Sequence, residues 1–137
     1  MARAGKNAPR GTYSEGAPRR SSRRNPISDC PLTAGFAAVG GKWKLIIVYW
    51  LAQGELHFLG LKRKMTSISH KVLAEQLREL EGDGIVSRQP LGSVPAPVMY
   101  GLTDYGRTVL PLVEGLRTWG RGHINRALKE SSGRRLG

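Results

Sequence analysis

At 137 residues, 39% of them hydrophobic, the chain has material for one domain with a modest core and flanking tails. A net charge of +12 attracts polyanions in general, and a lone cysteine, Cys30, excludes an internal disulfide framework and suits a reducing compartment. The longest apolar run, Leu45 to Ala52, falls far short of the roughly 20 residues that cross a bilayer, so a cytoplasmic protein without a membrane partner is expected.

Residues 1–28 are rich in Gly, Pro, Ser and Arg and have almost nothing to bury, which predicts a disordered basic tail. Residues 1–29 hold seven Lys/Arg against Glu15 and Asp29, a net +5. Within them, Arg19-Arg20-Ser21-Ser22-Arg23-Arg24 reads either as a segment lying along phosphates or as a plain solvated tail. An Arg- and Ser-rich, acid-poor start also fits a transit peptide, but its Pro and Gly break any amphipathic helix.

Order is expected from Cys30-Pro31. Leu32 to Val39 makes two helical turns ending at Gly40-Gly41. By propensity the next stretch looks like a strand, Leu45-Ile46-Ile47-Val48-Tyr49-Trp50-Leu51. Yet Trp43, Ile46, Ile47, Trp50 and Leu51 recur at helical spacing and Gly54 supplies a stop, so Lys42 to Gln53 is read as a buried helix. Leu56-His57-Phe58 is a short extended piece, and Leu59 to Met65 a short helix carrying Lys62-Arg63-Lys64. Thr66-Ser67-Ile68 is a turn. Ser69 caps the next helix, which runs to Glu81 with Leu73, Leu77 and Leu80 as its buried stripe and stops at Gly82-Asp83-Gly84.

Ile85 to Leu91 and Val98 to Leu102 read as strands, joined by Gly92-Ser93-Val94-Pro95-Ala96-Pro97, too long and proline-rich for a tight hairpin. Thr103 caps a last helix to about Leu128, with a kink expected at Pro111. Val109, Leu112, Val113, Leu116, Trp119, His123 and Leu128 are spaced to bury a face, and Gly115, Gly120 and Gly122 permit close approach by another helix. Residues 129–137 form a flexible basic tail of net +2.

In this order the elements resemble the HxlR-type regulators, compact winged-helix transcription factors related to the MarR group. The resemblance runs from about Cys30 to Trp119. It is carried by Cys30-Pro31, Gly40-Gly41-Lys42-Trp43, Phe58-x-x-Leu61, Ile68-Ser69, Leu77-Arg78-Glu79-Leu80-Glu81-x-Asp83-Gly84-Ile85-Val86-x-Arg88, Val94-Pro95-x-Pro97-Val98-x-Tyr100-x-Leu102-Thr103-x-x-Gly106 and Trp119-Gly120. It implies a cytoplasmic homodimer, pairing through the N-terminal segment and last helix, that binds imperfectly palindromic promoter sites. Repression is the usual outcome and activation an occasional one. By position, Ser69 to Glu81 becomes the recognition helix and Leu91 to Val98 the wing. This chain departs from the family pattern at Leu59-Gly60, where a polar pair is frequent. It departs again at Glu75, where Gln is frequent; a carboxylate there repels phosphate but accepts from a cytosine amino group.

The expected fold class is therefore α+β and mostly helical. It is a winged helix-turn-helix at residues 29–128 with a two- or three-stranded wing sheet, dimerising through Leu32, Phe36, Leu112, Leu116 and Trp119. Candidate DNA contacts are Ser69, His70, Lys71, Ala74, Glu75 and Arg78 on the helix, Arg88 at the base of the wing, and Lys62 and Lys64 for backbone positioning. Each charge also reads as an ordinary solvated residue, and Arg88 as a salt-bridge partner.

Several proteins resembling this one sense oxidants or electrophiles through the cysteine at the position of Cys30. Here Asp29 beside it should raise the thiol pKa, and a small packing residue is the plainer reading. No His/Cys/carboxylate cluster has metal-ligand spacing, no cofactor motif is present, and no nucleophile has an evident base, so no enzyme is expected. A sequence-specific regulator of double-stranded DNA leads, with a small-molecule or oxidant effector left open. The alternatives are a non-specific nucleoid or RNA-associated binder that uses the tails, and a thiol enzyme at Cys30.

Removing residues 1–26 should leave the fold intact, weaken DNA binding and flatten its salt dependence. The log-log slope should fall by roughly 0.9 for each phosphate that the tail no longer neutralises. Affinity titrations of the full and truncated chains at several salt concentrations measure this; equal slopes would mean that the tail stays off the DNA.

Overall fold

A computed structural model describes residues 30–92 and 97–136. The basic segment 1–28 and the wing tip from Ser93 to Ala96 lie outside them.

Helix α1, Pro31–Val39, opens with Pro31 in its first turn and ends where the Gly40 amide donates to the Phe36 carbonyl at 2.7 Å. A Cβ at Gly40 would strike that carbonyl, and Gly41 follows at φ +97°, so the chain reverses here on glycine alone. Only Val39 of α1 is buried.

Helix α2, Lys44–Ala52, confirms the helical reading over the β propensity of its residues. Its buried face is Lys44, Ile47, Val48 and Leu51, while Ile46 is exposed and Trp43 and Trp50 are half-buried against the core. The expected face is thus rotated by about one residue. A lysine occupies a position that hydrophobic spacing alone gives to a tryptophan or an isoleucine.

Strand β1, Leu56–His57, leads into α3, Phe58–Lys64, one residue ahead of the expected start. Met65 and Ile68 bury the turn that follows. Helix α4, His70–Gly82, begins where Ser69 Oγ accepts from the Val72 amide at 3.1 Å, as its cap position predicts. It ends in a Schellman arrangement: the Gly84 amide donates to Glu81 at 3.0 Å and the Ile85 amide to Leu80 at 2.9 Å, with Gly84 at φ +78°. Leu73, Leu77 and Leu80 are each at most 2% exposed.

Strands β2, Val86–Pro90, and β3, Val98–Leu102, pair antiparallel with Arg88 opposite Tyr100, and β1 joins the other side of β3 through Leu56 opposite Tyr100. The sheet is three-stranded in the order β1-β3-β2. Beyond Pro90, the Leu91 amide still donates to Pro97 at 2.8 Å, which closes the base of the wing.

The last helix differs most from expectation. Thr103 does act as a cap, accepting from the Gly106 amide at 2.8 Å, but it heads only α5, Asp104–Arg107. Helix α6, Leu110–Leu136, is a separate element. A proline ring clashes with the carbonyl four residues earlier; for Pro111 that residue is Arg107, the last of α5. The break therefore falls before Pro111, which sits in the first turn of α6 where its missing N–H costs nothing. The interior kink is not formed. The helix also continues past Leu128 to Leu136, through residues expected to be loose.

Thr103 Oγ1 also donates to the Gly84 carbonyl at 2.6 Å, tying the end of α4 to the start of α5. Gly106 lies so close to the backbone just before β2 that a Cβ would overlap the Ile85 carbonyl. Gly106→Ala must push two backbones apart. It should destabilise the fold by about 1–3 kcal/mol, the usual range for overpacking, measurable as a lower urea midpoint at unchanged slope. A midpoint equal to the parent's would mean that this junction is loose.

Candidate nucleic-acid interface

Burying the leucine stripe of α4 turns its opposite face to solvent. Lys71 and Arg78 both stand exposed there. They are seven residues apart, nearly two turns at 3.6 residues per turn, and so share one azimuth. Neither forms an ion pair with any described residue. Ser69 spends its side chain on the cap. The His70 ring lies tilted against Phe58 at 4.5 Å, which ties the first turn of α4 to α3. Ala74 and Glu75 are half-buried.

Helix α3 ends in three cations, of which Arg63 and Lys64 are exposed and Lys62 is half-buried. Lys64 Nζ sits 5.2 Å from the centre of the Trp50 ring, so part of its role is a cation–π contact with α2. Arg88 is exposed on β2, the strand against which α4 packs. The geometry thus brings Lys71 and Arg78 onto one exposed face of a helix that packs against the strand carrying Arg88. It holds His70 and Lys64 partly in intramolecular contacts.

The spacing of hydrophobic residues did not anticipate Lys44. Its Nζ donates to Glu79 Oε1 at 2.7 Å, with the lysine side chain 10% and the glutamate 29% exposed. The pair joins α2 to α4 across 35 residues of sequence, so no local spacing signals it. The one legible hint is a lysine inside an otherwise apolar helical run.

Residues 38–128 match the HxlR-like helix-turn-helix family. The chain belongs to that family. An HTH-type transcriptional regulator of Halalkalibacterium halodurans is 44% identical over 95 residues, 69% of this chain and 84% of that protein. The crystal structure of YtcD, an HTH-type regulator of Bacillus subtilis, superposes with a TM-score of 0.66 at 41% identity, covering 70% of this chain and 98% of that one. The redox regulator HypR in its reduced form gives 0.67 at 41% identity, covering 74% and 99%. This HxlR-like chain is accordingly a transcriptional regulator of the helix-turn-helix class with a winged-helix fold.

Cys30 is the exposed N-cap residue of α1 and forms no disulfide. The hydroxyl of Thr33, then the Thr33 and Leu32 amides, hold its pKa below the ordinary thiol value. The net direction is opposite to the rise expected from Asp29, which lies outside the described residues. Large apolar residues of α1 and α6 are uncovered: Leu32 is 79% exposed, Phe36 69%, Leu112 52%, Leu116 53% and Trp119 66%. The face that spacing predicts to be buried is therefore open in the single chain, apart from Val113 and its neighbours Val109 and Leu110. Trp119 stacks on His123 at 5.0 Å, which keeps two flat rings on that open face.

A thiol whose native pKa is depressed stays thiolate to lower pH, and its reactivity is lost only as pH falls through that native value. The iodoacetamide rate of native Cys30 should thus rise at lower pH than that of the urea-unfolded chain, and Thr33→Val should move the native profile back up. Superimposable native and unfolded profiles would remove the helix start as the cause.

Proposed function

We propose that this protein is a homodimeric, cytoplasmic, sequence-specific DNA-binding regulator, acting as a repressor and responding to oxidants through Cys30. The observation that carries the DNA reading is the exposed, unpaired Lys71–Arg78 face of α4 in a winged-helix regulator of net charge +12. Across this face an α-helix in the major groove presents cations to base edges, and Arg pairs bidentately with guanine. Arg88 on β2 supplies a phosphate contact at the wing, and Lys62 and Lys64 set the position of the backbone.

Dimerisation is supported by the bare apolar residues of α1 and α6, which a monomer would leave in water at a cost of roughly 25 cal/mol per Å². Two recognition helices related by a two-fold axis fit half-sites roughly 34–36 Å apart. Repression then follows from occupying a promoter. The oxidant response is supported by the exposed, acidified thiol next to the dimer face and by the likeness to a redox regulator. With one cysteine per chain, the product is a disulfide to the partner subunit, a mixed disulfide with a small thiol, or an S-adduct.

The test is binding to a DNA site selected from a random library, compared with scrambled DNA. Arg78→Ala or Lys71→Ala should cost about 1–3 kcal/mol on the selected site and much less on scrambled DNA, whereas Arg88→Ala should weaken both alike. If neither helix variant changes the ratio, or footprints show no paired half-sites, the non-specific basic binder is the better reading.

A further inference from the structure

We propose that Lys44 is a positioning residue for DNA reading, whose ion pair with Glu79 sets the rotation of α4 about its own axis; this deepens, and rests on, the reading of α4 as the recognition helix. Leu73, Leu77 and Leu80 hold α4 against the core, but apolar burial is non-directional and tolerates small rotations. The readout does not tolerate them. With side-chain tips about 6 Å from the helix axis, a turn of about 20° displaces them by about 2 Å, enough to break a hydrogen bond to a base edge.

Glu79 lies on the flank of α4, neither in the leucine stripe nor at the azimuth of Lys71 and Arg78. A 2.7 Å charged hydrogen bond from that flank to a nearly buried lysine is directional and short. Lys44 is itself anchored. It is the first residue of α2, directly after the Gly40–Trp43 reversal that ends α1. The same helix presents Leu45, Ile46 and Tyr49 to Val113, Leu116 and Arg117 of α6, with the Arg117 guanidinium 4.9 Å from the Tyr49 ring. One side of α2 therefore faces α6, whose Leu116 is open, while its first residue holds the reading helix. The pair fixes how the reading head sits relative to α6.

The experiment uses the full chain, a DNA site enriched by it from a random library, and scrambled DNA, each titrated at several salt concentrations. Lys44→Met should lose at least tenfold affinity for the enriched site and less than twofold for scrambled DNA, with an unchanged salt slope because Lys44 touches no phosphate. Lys44→Arg should keep the enriched-site affinity within threefold. Glu79→Asp retains both charges but withdraws the carboxylate by one methylene, so it tests the geometry even where Lys44→Met fails to fold; it should show the same selective loss. Wild-type preference for the enriched site that survives in Glu79→Asp or in folded Lys44→Met overturns the positioning role alone. Equal loss on both DNAs with a shallower slope also overturns it, in favour of a phosphate contact. Failure of the wild-type chain to enrich any sequence overturns the regulator reading and this inference with it.

Discussion

The burial of Leu73, Leu77 and Leu80 is the constraint on which the rest of the molecule depends. Each leucine withdrawn from water contributes roughly 1.5–3 kcal/mol, and together they decide which side of α4 faces inward. Everything that can act on a partner follows from that choice, since Lys71 and Arg78 stand opposite the stripe. The ends of the helix are set separately, by the Ser69 cap and by the Schellman turn at Gly84. The stripe thus chooses the face, the two caps choose the length, and the flanking Lys44–Glu79 pair restricts the angle.

Helix α2 is the hub around which these elements are arranged. It contacts α4 through Lys44, β3 and α3 through its core face, and α6 through Leu45, Ile46 and Tyr49. A buried ion pair is a weak source of net stability, because desolvation offsets most of the Coulomb gain. Its value here is direction. The second junction is equally specific: Thr103 bonds the end of α4 to the start of α5, and Gly106 lies against Ile85 with no room for a side chain. The two junctions join α4 to α2 at one point and to the start of α5 at another.

The distribution of charge and apolar surface divides the molecule by role. Exposed cations stand at the end of α3, on the free face of α4 and on β2, and seven large apolar residues of α1 and α6 lie open. Cys30 sits at the start of α1, the helix that carries the open Leu32 and Phe36, with its thiol pKa lowered by Thr33 and Leu32.

Much of this was legible in the chain itself. Glycines, caps and hydrophobic period gave the element order, the leucine stripe, the cap at Ser69, the stop at Gly84 and both wing strands, because each depends on residues a few positions apart. The helical period of α2 outweighed its β propensity for the same reason. What tertiary structure alone decided involves distant partners or the sum of competing local ones. The face of α2 shifted by about one residue because Glu79 offers Lys44 a partner 35 residues away. The kink expected at Pro111 became a break between two helices, where the ring meets the end of α5 against the sheet. The thiol pKa is lowered by Thr33 and Leu32 of the first turn of α1, an effect of the helix start that the adjacent Asp29 does not signal. Short-range spacing determines which elements form; which of their faces meet, and at what angle, is set by contacts that exist only once the chain has closed on itself.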